Sequence, residues 1–141
     1  MILQLDGVVI RMVKVYKASD CELVGMAGYG RKYVADVTFK RKLDTAGFIW
    51  VRVPGGMKTD PHLHEKLEET FVILDETNMG VGETVYHFSE GDVVVVEPGE
   101  AHWFETSEDH DVRFIAIKFP NLKDDKVEPG QAPPKPSRPR K

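Results

Sequence analysis

His62-Leu-His64-Glu65-Lys66-Leu67-Glu68-Glu69-Thr70-Phe71-Val72-Ile73-Leu74 carries two histidines at i and i+2, followed by a carboxylate that leads into an apolar run. On an extended chain, residues two apart share a face and lie about 7 Å from each other along the backbone, so both imidazoles can reach one ion. Glu69 shares its face with Phe71 and Ile73, whereas Thr70 and Val72 point the other way. A carboxylate on an inward, apolar face needs a partner, and a cation with imidazole neighbours supplies one.

A second stretch completes the set. In Gly91-Asp-Val-Val-Val-Val-Glu-Pro-Gly-Glu-Ala-His102 a buried strand ends in a tight Pro98-Gly99 turn, and the chain re-enters with His102 and Phe104 on one face. Three neutral imidazoles and one carboxylate then converge. With a divalent ion this set has a net charge of about +1, and an octahedral metal keeps about two positions for water, substrate or oxygen.

Outward from these segments the pattern is strand after strand, over Val8 to Tyr16, Lys32 to Lys40, Phe48 to Val53, Thr70 to Leu74, Thr84 to Phe88, Val93 to Glu97 and Val112 to Phe119. All are rich in β-branched or aromatic residues. Turn signals separate them at Asp44 to Gly47, Pro54 to Gly56, Thr77 to Gly80, Glu90 to Asp92 and Pro98-Gly99. Many short strands at this spacing predict an all-β sandwich or barrel. The single helix candidate, Ala18 to Val24, is weak. Phe71 to Leu74 and Val93 to Val96 are apolar on both faces, so either the N-terminal segment or a second subunit must cover the outer one, and a symmetric homodimer is expected.

The two metal-ligand segments resemble the motifs of the cupin superfamily. The first motif has a glycine, five residues, His-x-His, three or four residues and a glutamate, met here by Gly56, His62, His64 and Glu69. A three-residue spacing would put Glu68 in the ligand position instead; strand register favours Glu69. The second motif has a glycine, then Pro-x-Gly, two residues and a histidine, met here by Gly91, Gly99 and His102, with Glu97 where the proline stands and Pro98 one residue later. Glu76 replaces the first motif's closing glycine, and Thr106 replaces an asparagine after the last histidine. The resemblance implies a double-stranded β-helix, or jelly-roll, barrel. It also implies one divalent metal ion, with Fe, Mn or Ni favoured and Zn allowed, held by His62, His64, Glu69 and His102.

Three regions are expected in a single domain: N-terminal strands over residues 1–47 packing on the barrel, the barrel core over 48–119, and a polar, proline-rich basic tail over 120–141. The tail reads as a solvated extension, or as a polyproline-like arm lying on an acidic surface.

The 141-residue chain has 41% hydrophobic and 30% charged residues, the balance of a soluble globular protein, with no run long enough to span a membrane. Its net charge is -4; without Lys135, Arg138, Arg140 and Lys141 of the tail, 15 basic residues face 23 acidic ones. An acidic body argues against nucleic acid as a ligand. Cys21 is the only cysteine, so no intramolecular disulfide forms, and without a basic and apolar leader pattern a cytoplasmic setting is expected.

Around the metal, Phe71 and Phe104 are expected to line a substrate pocket. Trp50 and Arg52 share a face on the preceding strand; if it is inward, Trp50 walls that pocket and Arg52 binds an anionic substrate by a forked hydrogen-bond pair, and otherwise Trp50 is core and Arg52 a rim charge. Arg113 and Lys118 carry the same ambiguity. His87 and His110 read as structural or solvated, Glu65, Glu68 and Glu100 as solvated loop carboxylates, and Tyr86 or Glu100 as no more than candidate bases. The functional expectation is a metal-dependent enzyme of dioxygenase or oxidoreductase type acting on a small oxygen-rich molecule. The alternatives are a non-enzymatic small-molecule or metal-binding module and a sugar isomerase.

Overall fold

The computed structural model describes residues 2–5, 8–11, 13–26, 28–39 and 44–129, and over these the chain is all-β, with no α-helix. The strands are β1 (Ile2–Leu5), β2 (Val8–Arg11), β3 (Lys14–Tyr16), β4 (Val24–Met26), β5 (Tyr29–Arg31), β6 (Gly47–Val53), β7 (Leu63–His64), β8 (Glu68–Ile73), β9 (Thr77–Val81), β10 (Thr84–Phe88), β11 (Val93–Val96), β12 (His102–Glu105), β13 (Val112–Phe119) and β14 (Lys126–Val127). Among the described residues, no helix is long and apolar enough to cross a membrane.

Two antiparallel sheets carry the barrel, one of five strands in the order β3-β11-β8-β13-β6 and one of three in the order β10-β9-β12. Isolated bridges Lys58↔Glu105 and His62↔His102 run the segment before β7 alongside β12, and β14 pairs with β7 in a further ribbon. The inner faces of the two sheets meet in one core in which Phe71, Ile73, Met79, Val94 and Phe104 are at most 5% exposed. Burying side chains of this size contributes about 1.5–3 kcal/mol each, which holds the sheets together.

Turn chemistry sets the corners. Gly91 and Gly99 adopt φ of 88° and 85°, a left-handed conformation that costs glycine little, and they reverse the chain before and after β11. Asp92 then ties the N-terminal segment to the barrel: its carboxylate accepts hydrogen bonds from Ala18 N at 3.0 Å, Ser89 N at 2.8 Å and Lys17 Nζ at 2.7 Å.

Several segments differ from the sequence expectation. The run Val8 to Tyr16 divides into β2, paired with β1, and β3, paired with β11. Lys32 to Phe39 is irregular, and Lys40 lies outside the described residues; Phe39 packs on Phe119 with ring centroids 4.8 Å apart, so its apolar residues serve packing rather than a ladder. The helix candidate reduces to one 3-10 turn over Ala18–Asp20 with no side-chain cap. Thr77 to Gly80, which reads as a turn, is instead most of β9, because Met79 and Val81 supply an alternating buried face that outweighs the local turn preference of Asn78 and Gly80. Gly80 is needed there, since a Cβ at that position would fall within the indole of Trp103. The stretch after Pro120 contributes β14, and the proline-rich residues 130–141 lie outside the described residues.

The outer face of the five-stranded sheet is covered unevenly. Val95 is fully buried and Thr70 nearly so within the single chain, whereas Phe48 and Trp50 on β6 are 72% and 61% exposed.

Candidate metal centre

Four side chains from four places in the chain converge at one end of the barrel. His62 stands just before β7, His64 ends β7, Glu69 is the second residue of β8 and His102 opens β12. One donor atom from each lies within 4.8 Å of the others. The ring centroids of His62 and His102 are 4.4 Å apart, those of His62 and His64 5.3 Å, and those of His64 and His102 5.6 Å.

Backbone pairing holds these rings in place. His62 and His102 exchange hydrogen bonds, His62 N to His102 O at 3.2 Å and His102 N to His62 O at 2.9 Å. Gly99 N donates to His64 O at 2.7 Å, so the turn after β11 is tied to the second ligand. Asp125, buried after β13, accepts from Lys66 N at 2.8 Å and Leu67 N at 2.9 Å and so fixes the loop between His64 and Glu69.

The donor chemistry fits a cation. Both ring nitrogens of His64 and Nε2 of His102 are buried without a hydrogen-bond partner. His64 Nε2 lies 3.0 Å from Glu69 Oε2 and His102 Nε2 lies 3.6 Å from Glu69 Oε1, close in space but not aligned as hydrogen bonds. Unpartnered buried polar atoms cost about 1–3 kcal/mol each, and a shared divalent ion would satisfy one nitrogen of the His64 ring together with Nε2 of His102. Nδ1 of His102 is 3.1 Å from the carbonyl of Glu100; with Nδ1–H donating there, Nε2 keeps its lone pair towards the centre.

The electrostatics point the same way. Burial, reinforced by the neighbouring His102, Lys126 and His64, lowers the pKa of His62 to about 4, so its imidazole is neutral at neutral pH. Burial pushes the Glu69 carboxyl up, but the adjoining imidazoles of His102 and His64 outweigh it and hold the pKa at about 2. An ionised Glu69 carboxylate beside a neutral His62 imidazole is the state that binds a divalent ion.

Beside the centre lies a cavity of about 390 Å³. Ile49, Val51 and Val53 of β6 form one wall, Phe71, Phe104, Phe114 and Ala116 the floor, and Thr59, Asp60, Lys118 and Lys126 the polar positions. Phe104 and Phe114 stack with centroids 4.2 Å apart, and Phe71 meets both edge-on at 5.6 Å.

Phe71 and Phe104 thus line the pocket as the sequence suggests, while Trp50 and Arg52 do not. β6 is apolar in both phases, and the structure turns Ile49, Val51 and Val53 inward. In the ladder with β13, Val51 stands opposite buried Phe114 and Trp50 opposite Ile115, so the indole lies on the outer face. Trp50 and Arg52 occupy the outer face, where Arg52 pairs with Asp111. Arg113 is likewise outside, paired with Asp75 at 2.9 Å.

Of the two adjacent glutamates, Glu69 joins the cluster, and Glu68, one residue out of phase and paired in register with Phe119, faces the other way. His87 bonds Asn78 and Glu76 and His110 bonds the Glu76 carbonyl, so neither is part of the centre. Lys126 and Asp125 went unread because they sit in a polar stretch after the last long strand. Lys118 had a readable signal, a cation in phase with Phe114 and Ala116 on an inward face.

A family model described as a cupin domain matches residues 48–118, half of the chain. Among curated proteins, a gentisate 1,2-dioxygenase from Haloferax sp is 42% identical over 45 residues, which are 32% of this chain and 13% of that protein. Among solved structures, the DMSP lyase DddQ of Ruegeria pomeroyi superposes with a TM-score of 0.55 at 24% identity, over 61% of this chain and 44% of that one. An oxalate decarboxylase of Bacillus subtilis, described as having Mn(II) centres, does so with a TM-score of 0.53 at 21% identity, over 60% of this chain and 24% of that one. The chain therefore spans well under two thirds of these relatives, and the structural likeness speaks for the fold. With the matched family model, the two-sheet barrel and the convergent motif residues together, this chain belongs to the cupin family.

Proposed function

We propose that this cupin is a metal-dependent enzyme of dioxygenase or oxidoreductase type, acting on a small oxygen-rich molecule, with one divalent ion on His62, His64, Glu69 and His102. The observation that carries the reading is the cluster of unpartnered imidazole nitrogens around an ionised Glu69 at the wall of a cavity. Iron, manganese or nickel suits this nitrogen-rich set with one carboxylate, and zinc is a fourth candidate. When bound, such an ion acts as a Lewis acid towards a chelating substrate and, if redox-active, as a site for dioxygen. The protein's own part is to hold His62 neutral and Glu69 ionised, to fix the His102 tautomer through Glu100, and to exclude water with the Phe71, Phe104 and Phe114 floor. The short matched stretch of a gentisate 1,2-dioxygenase supports the oxidoreductase class over the isomerase class.

The test is elemental analysis of protein purified without chelator, then oxygen uptake by the iron, manganese and nickel forms with small keto-acids, diketones and phenolic acids. Stoichiometric metal with oxygen uptake supports the enzyme. Stoichiometric metal with no uptake for any pair favours the binding-module alternative, and equal, sub-stoichiometric metal in wild type and a His62→Ala, His64→Ala variant overturns the centre itself.

The same reading takes the protein to be a cytoplasmic homodimer. Exposed Phe48 and Trp50 on the outer face of β6 support an interface there, since exposed apolar patches of this kind mark association surfaces.

A further inference from the structure

Two lysines flank the metal centre from different strands. Lys118 on β13 stands directly opposite Glu69 in the ladder with β8, and Lys126 on β14 stands directly opposite His64 in the ladder with β7. Both line the cavity. Among the described residues, neither lies within ion-pair distance of a carboxylate; the Glu69 oxygens are turned to His64 and His102 instead. Lys118 is also half-buried, in phase with buried Phe114 and Ala116. A half-buried ammonium without a counter-ion is costly to hold, so its position calls for an anion delivered from outside.

Charge counting gives the same sign. A divalent ion with Glu69, Lys118, Lys126 and the exposed Asp60 would leave a surplus of about two positive charges around the cavity at neutral pH, which raises the local concentration of anions. The rest of the wall is Ile49, Val51 and the aromatic floor, which offers an organic body apolar contact rather than hydrogen bonds. The cavity, at about 390 Å³, is near the lower end of small-molecule sites, about 300–1,000 Å³.

We propose that the substrate is a small carboxylate with an apolar body, its carboxylate read by Lys118 and Lys126 while the body rests on Ile49, Val51 and Phe114. The proposal rests on the reading of this cavity as the substrate site of a metal centre, and it adds the specificity determinants. Lysine supplies a mobile point charge rather than a planar fork, so two of them converging from separate strands can grip carboxylates that differ in the shape of the attached body.

The test is isothermal titration calorimetry with benzoate and with neutral, near-isosteric benzamide, on full-length protein in metal-free and manganese-loaded forms. Wild type is compared with Lys118→Met, Lys126→Met and Lys126→Gln, each checked for an unchanged melting temperature and metal content. Benzoate should bind wild type at least about tenfold more tightly than benzamide, and each lysine variant should lose about tenfold or more for benzoate with little change for benzamide. The advantage of benzoate should also shrink as salt is raised. Equal affinity for the two probes, or benzoate binding untouched in the lysine variants, overturns the proposal while leaving the metal content standing. Lysine-dependent benzoate binding in a protein that fails to take up manganese supports the lysines as the carboxylate-reading pair and instead sinks the metal reading.

Discussion

His62 and His102 hydrogen-bond to each other through their backbones in both directions, at 3.2 and 2.9 Å, although 40 residues separate them in the chain. Two of the four candidate ligands are therefore fixed relative to each other by the ladder. An ion binding here meets a largely assembled site and pays little ordering entropy.

Metal removal should lower stability. Because an ion that binds only the folded state stabilises by mass action, chelator treatment should lower the melting temperature of the metal-loaded protein by roughly 5–10 °C. His62→Ala should abolish that difference, as read by calorimetry with and without chelator. His62 is the best position to vary, since it is the least buried of the four.

Asp125 should matter to the centre without touching it. Asp125→Ala leaves the buried N–H of Leu67 and the part-buried N–H of Lys66 without this acceptor, at a cost of about 1–3 kcal/mol in urea unfolding. Metal affinity should fall as well, because the loop between His64 and Glu69 loosens. Both N–H groups donate to the same Asp125 oxygen, so Asp125→Asn, whose amide oxygen can take that place, should cost well under half as much.

Asp92 should govern part of the acid limb. Its side chain is almost fully buried; burial alone would raise its pKa, but Lys17 and the N–H groups of Ser89 and Ala18 outweigh this and depress it. A carboxyl whose folded pKa lies below its unfolded value, about 3.9, contributes stability that is present above that value and lost as pH falls through the folded pKa. The stability difference between wild type and Asp92→Asn should therefore be on the order of 3 kcal/mol near pH 7 and shrink steadily below about pH 4. A difference that stays constant down to pH 2 would count against this role.

The outer face of β6 offers a separate measurement. If the exposed aromatic pair seals a homodimer, the Phe48→Ser, Trp50→Ser double variant should elute as a monomer in light-scattering chromatography at micromolar concentration, with its metal content retained. Arg52→Ala, whose side chain pairs with Asp111 on the outside, should leave ligand binding within about twofold.

The residues of the candidate centre were legible as a cluster because their signal is local: His-x-His gives one face of a strand, Glu69 is out of place among apolar neighbours, and Pro98-Gly99 marks the turn before His102. The jelly roll followed from strand spacing and the two motifs. What escaped was phase and long-range pairing. β6 is apolar on both faces, so periodicity could not decide between Trp50 and Val51; the register with β13, which sets Val51 opposite buried Phe114, does. β9 was hidden by Asn78 and Gly80, turn residues that here sit in a ladder, Gly80 because Trp103 needs the space. Lys126 was invisible because a two-residue strand carries no pattern of its own; it exists only by pairing with β7.

That pairing bears on where the folding unit ends. The family match closes at residue 118, yet the clasp on the ligand loop and the strand beside His64 come from residues 125–127. A polypeptide shortened to the family boundary would keep every candidate ligand and still lose the brace beneath two of them, along with one of the two lysines at the cavity. The smallest piece able to stand for this protein thus runs past the residues the family model matches, and takes in the two-residue strand that brings Lys126 to the cavity.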